Sequence, residues 1–85
     1  METVESVPRH PTEQELRLEE LFTYHPPEND DQIRAYKAIR EWGLAFAKVI
    51  CEFTPKGSDQ SAAIRKVREA VMTANAAVAL KGLNF

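Results

Sequence analysis

Phe22-Thr23-Tyr24-His25-Pro26-Pro27 sets two aromatic rings and an imidazole against two consecutive prolines. Each proline fixes its own φ and pushes the residue before it toward extended geometry, so His25 and Pro26 are predicted to be extended and their neighbours to point in few directions. A rigid, aromatic, non-helical segment ahead of a helix suits one wall of a binding site. The same rings would also serve to plug the end of a helical hairpin, and residue types alone leave both readings open.

Arg40 is the second chemical signal. It belongs to a stripe of Ile33, Tyr36, Arg40, Gly43, Ala47 and Ile50, spaced by three and four, in which a charge and two very small residues stand where large apolar groups are expected. Glycine in a helix interior costs about 0.5–1 kcal/mol relative to alanine, and an arginine turned into a packed seam must meet an anion or be desolvated at high cost. A cavity lined by Arg40, with room for a flat ligand whose phosphate meets the guanidinium, answers both objections. The alternative is that Arg40 snorkels or pairs with a glutamate of a neighbouring subunit while Gly43 lets two helices approach closely.

These residues must be carried by helices. Thr12-Glu13-Gln14-Glu15 has the form of a capping box and opens a short helix over about Glu13 to Phe22, with Leu18, Leu21 and Phe22 as its apolar stripe. Glu28-Asn29-Asp30-Asp31 supplies cap residues and negative charge for a second helix, about Asp30 to Phe53. Its residues Ile39, Trp42, Phe46, Val49 and Phe53 repeat at heptad spacing and are predicted to pack lengthwise on another helix. Pro55 and Gly57 break the run, and Ser58 or Asp59 is expected to cap a third helix from about Asp59 to Leu80. Ile64, Val67, Val71, Ala74 and Val78 form its matching seam, with Ala63, Ala70 and Ala77 on a small-residue face beside it.

The fold class that follows is all-α: a mobile arm over residues 1–12, then one domain, 13–85, made of a short helix and a long antiparallel hairpin. So short a turn makes the long helices neighbours, which brings Tyr36 toward Asn75, Arg40 toward Val71, and Lys81 toward Asp30 and the proline segment. Tyr24, Arg40, Asn75 and Lys81 can then collect toward one end of the hairpin or, across an oligomer, in one pocket. Two apolar faces on a two-helix hairpin need covering, and a chain of 85 residues cannot cover both, so a homo-oligomer is expected.

Composition narrows the classes further. The net charge of −2 divides into −7 over residues 1–33 (nine acidic, two basic) and +5 over residues 34–85 (nine basic, four acidic). An acidic arm on a basic body does not make a general DNA or RNA binder, but the body can hold a compact anion. The single cysteine, Cys51, reads as a small buried apolar residue in a reducing compartment. No apolar run approaches the roughly 20 residues of a membrane span and the first residues lack the features of a signal peptide, so a cytoplasmic protein is expected. His10 and His25 have no cysteine or carboxylate at ligand spacing, no glycine-rich phosphate loop is present, and no serine or cysteine has a base in view. The expectation is a protein with neither metal nor cofactor, and not an enzyme.

The FTYHPP segment, followed by Gln32, Tyr36, Ala38-Ile39-Arg40, and then Glu69-Ala70-Val71-Met72 with Ala74-Asn75-Ala76-Ala77, resembles a small family of phage proteins, the anti-CBASS sponges. These share a helical-hairpin domain with one type of anti-Thoeris sponge, and the resemblance covers about residues 21–81. It implies a non-enzymatic, hexameric helical protein in the cytoplasm of an infected bacterium that sequesters cyclic di- or trinucleotide immune signals. By the same resemblance Tyr24 stacks on a base and Arg40 meets the phosphates, with Asn75 and Lys81 as further ligand contacts beside the His25-Pro26 wall. A cyclic ADP-ribose signal is the alternative ligand within the family. A helical protein-interaction module that binds no nucleotide is the alternative outside it, suggested by the acidic arm.

Overall fold

The computed structural model describes residues 10–83. Three helices follow in order, α1 (Glu13–Phe22), α2 (Asp30–Phe53) and α3 (Ser58–Leu80), with no strand among the described residues. The expected arm over residues 1–12 lies outside the described residues except at its end, where Thr12 caps α1. There the capping box is complete: Thr12 Oγ1 accepts from the Glu15 amide at 3.1 Å and Glu15 Oε1 accepts from the Thr12 amide at 2.8 Å. Asn29 caps α2 by accepting from the Gln32 amide at 2.9 Å. At α3 the expectation of a Ser58 or Asp59 cap fails. Gly57 holds that position and no side chain bonds the free amides of the first turn. The α3 terminus turns through Lys81 and Gly82, both at positive φ (56° and 78°), with the Gly82 amide returning to the Ala77 carbonyl at 3.2 Å.

Packing is carried by α2 against α3. On α3 the seam is the expected one, since Ile64, Val67, Val71, Ala74 and Val78 are all part-buried. On α2 it is the other stripe that faces the partner. Tyr36, Gly43, Ala47 and Ile50 are part-buried, as is Ile39 of the expected seam, whereas Trp42 and Phe53 keep about three quarters of their surface (76% and 75%) and Phe46 and Val49 are also exposed, as are Ile33 and Arg40 of the inward stripe. The cause is Gly43. A Cβ at that position would overlap Val71 Cγ2, so the two backbones come closer there than any side chain allows, and the helix turns its small residues inward and its large aromatics aside. Cys51, expected to be buried, is exposed.

This close approach gives a direct test. Gly43→Ala gains helix propensity worth about 0.5–1 kcal/mol but forces a β-branched side chain with little rotamer freedom to move, so a net loss of about 1–2 kcal/mol is expected. Adding Val71→Ala removes the overlapping methyl groups and is expected to recover part of that loss, so that the two substitutions are non-additive in thermal melts.

The result is a thin slab of 60 × 38 × 17 Å. Its radius of gyration is 19.1 Å, against about 12 Å for a compact chain of this length. No described residue is fully buried, and none of the helices is long and apolar enough to cross a membrane. Between α2 and α3 the displaced aromatics leave an apolar groove of about 590 Å³, lined by Ile39, Trp42, Phe46 and Ile50 on one side and Ala63, Val67 and Ala70 on the other, with Lys66 at its edge.

Candidate functional site

A second depression, of about 410 Å³, lies where the proline segment crosses the hairpin. Three pieces of chain line it: Tyr24, His25 and Pro27 from the linker, Tyr36 and Arg40 from α2, and Met72, Asn75, Ala76 and Ala79 from α3. Spacing explains the convergence. Tyr36 and Arg40 are one helical turn apart on α2, and Met72, Asn75 and Ala79 follow at three and four residues on α3, so each helix turns one edge toward the same place. The alanines keep the floor low, and the linker forms the wall.

The wall is anchored at several points. His25 Nε2 lies 2.8 Å from the Glu20 carbonyl at the end of α1, and because a carbonyl oxygen only accepts, Nε2 carries the proton. The imidazole is largely covered, with the Glu20 carboxylate 3.5 Å from the same nitrogen. Beyond the prolines, the Glu28 amide donates to Gln32 Oε1 at 2.8 Å, and Gln32 Nε2 donates to the Val78 carbonyl of α3 at 3.2 Å. Lys81 Nζ sits 2.9 Å from Glu28 Oε1. The hydrogen bond and the charge of Glu28, with a smaller contribution from Glu20, hold the Lys81 ammonium above its ordinary value. A raised lysine value means that the pair contributes below the ordinary lysine range and is lost only as pH climbs through the higher folded value. It is therefore intact at neutral pH, though its exposure limits what it adds.

Of the residues singled out from sequence, Tyr24, His25, Arg40 and Asn75 come together at this depression. Pro26 does not line it, the adjacent Pro27 does, and Lys81 is engaged with Glu28 at its margin. Tyr36, Met72, Ala76 and Ala79 also line it. Tyr36, Met72 and Ala76 stood in the recognised motif without a role, and the spacing of four from Asn75 is the signal that would have found Ala79. Val71 meets Gly43, and Arg40 stands on the exposed edge of α2.

The chemistry on offer is specific. Tyr24 presents 82% of its surface, which leaves its ring available for stacking. Among the described residues Arg40 makes neither a hydrogen bond nor an ion pair, so its guanidinium keeps its full capacity for a planar anion. The Asn75 carbonyl oxygen Oδ1 is inaccessible and accepts no hydrogen bond. Leaving such an acceptor unmet costs about 1–3 kcal/mol. An aromatic face and an unpaired guanidinium together fit a ligand with flat rings and anionic groups. Among the described residues no three His, Cys, Asp or Glu side chains gather as a metal site would require.

No curated protein and no solved structure matches this chain. The family model described as the Acb2/Tad1 hairpin domain does match, over residues 14–79. That span reaches further back than the resemblance noted over residues 21–81 and takes in most of α1. With the match covering most of the sequence and all three helices of the observed hairpin fold, the chain belongs to the Acb2/Tad1 hairpin family, whose general role is that of a sponge acting against bacterial anti-phage defence.

Proposed function

We propose that this protein is a non-enzymatic sponge for cyclic oligonucleotide immune signals, cyclic dinucleotides above all, and that it removes them from the cytoplasm of the infected host before an effector responds. The observation that carries the reading is the meeting of Tyr24, Arg40 and Asn75 at one depression in a chain of the sponge family. A cyclic dinucleotide offers two flat bases for the tyrosine and phosphates for the guanidinium. The depression, at about 410 Å³, falls in the range of small-molecule sites.

The working form is a homo-oligomer, with a hexamer as the expected size. A hairpin that leaves Trp42, Phe46 and Phe53 in water is not a finished unit, and a second copy has the same faces to cover. The exposed α1 residues Leu16 and Phe22 also favour a reading as a protein-interaction module. Leu16→Glu separates the two: a module loses its partner, and a sponge keeps its depression, which Leu16 does not line.

The test is calorimetric titration of the purified protein with cyclic GMP–AMP, cyclic di-AMP, cyclic di-GMP, a cyclic trinucleotide and cyclic ADP-ribose isomers, followed by heating the complex. Saturable binding, with unaltered nucleotide recovered after denaturation, is the expected result. Recovery of a cleaved product would sink the sponge reading in favour of an enzyme, and tightest binding of cyclic ADP-ribose would reassign the ligand.

A further inference from the structure

We propose that Gln32 is the positioning residue of this site, a clasp that sets the distance between the Tyr24-His25 wall and the turn of α3 that carries Asn75. The proposal rests on the sponge reading for its functional consequence, and on geometry alone for the clasp.

Pro26 and Pro27 have no amide hydrogen, so Glu28 provides the first main-chain donor beyond the wall with which it can be fastened. That donor goes to Gln32 Oε1 at 2.8 Å. The other end of the same amide donates 3.2 Å to the carbonyl of Val78, which lies one turn from Asn75 on α3 and next to Ala79, both lining residues. The Gln32 main chain is itself pinned, its amide donating to the Asn29 cap at 2.9 Å. One part-buried side chain thus joins linker, α2 and α3, using its acceptor toward the wall and its donor toward the floor. Lys81–Glu28, the only other link between the same two parts among the described residues, is a solvent-exposed ion pair and adds little. A ligand gripped between wall and floor gains affinity when their spacing is set in advance.

The two ends of Gln32 can be separated chemically. Gln32→Glu keeps an oxygen for the Glu28 amide, but as a carboxylate it has nothing to donate to Val78. Gln32→Leu removes both ends.

The experiment measures cyclic GMP–AMP affinity of wild type and both variants at about pH 7.5, with amide exchange at Glu28 in the ligand-free proteins. Expected are losses of about tenfold for both variants. Glu28 exchange should accelerate in Gln32→Leu and stay protected in Gln32→Glu. Wild-type affinity in either variant overturns the positioning role. If wild type binds no nucleotide of the panel, the sponge reading falls, and the clasp is then judged by exchange, where no acceleration in Gln32→Leu overturns it.

Discussion

Replacing Tyr24 or Arg40 by alanine is expected to weaken cyclic dinucleotide binding by about 10- to 100-fold each while leaving the oligomer assembled. Stacking of a base on an aromatic ring is worth about 1–3 kcal/mol, and a charge-assisted hydrogen bond to an anion about 1.5–3 kcal/mol. Neither side chain supports the fold: Tyr24 is among the most exposed residues of the chain, and Arg40 bonds to nothing within it among the described residues. Alanine at either site therefore removes no hydrogen bond or ion pair on which the hairpin depends. Arg40→Lys separates charge from geometry, because an ammonium keeps attraction for a phosphate but loses the planar fork, and an affinity between wild type and Arg40→Ala is expected. Titration with size-exclusion chromatography on the same samples checks both halves. Normal binding by Tyr24→Ala and Arg40→Ala would show that the ligand lies elsewhere, and loss of the oligomer in either would make the residue an interface member.

The local signals in this sequence were legible because they are closed within a turn or two. Thr12 and Glu15 announce the start of α1 to the residue, and Asn29 with the acidic turn after it does the same for α2. The antiparallel hairpin also followed from the short Pro55–Gly57 break, and with it the convergence of Tyr24, Arg40 and Asn75. Which of two neighbouring stripes on α2 faces α3 was not legible. Trp42 and Gly43 are adjacent in sequence and lie about 100° apart around the helix, and both stripes keep the same three-four rhythm. Hydrophobicity favours the tryptophan, but close approach of backbones at Gly43 and Val71 decides the matter, and that is a property of two helices together. Gln32 was obscure for a related reason: its bond to Val78 joins residues far apart in the chain, and nothing in a polar residue of a first helical turn announces such a partner.

The misjudged stripe leads to the other large effect. Charged substitution in the exposed aromatic face, Trp42→Glu with Phe46→Glu, is expected to break the oligomer, raising its dissociation constant by about 10²- to 10⁴-fold at the protein concentrations used for titration. Each large apolar side chain is worth about 1.5–3 kcal/mol when removed from water, and a buried unpaired carboxylate adds a further penalty. Within one chain these substitutions touch little, since both side chains already stand in solvent beside the groove and the α2–α3 seam runs through Gly43, Ala47 and Ile50. A protein that needs the face only for assembly therefore yields helical, smaller species, visible in sedimentation velocity and circular dichroism. If assembly is instead what holds the hairpin closed, helicity falls with the oligomer, in keeping with the absence of any fully buried residue among the described residues. Either result places the missing core between copies. An undisturbed oligomer, or a wild-type chain that is monomeric and melts cooperatively, would mean that Trp42 and Phe46 stay in water for another purpose and that the face is kept for a partner other than the chain itself.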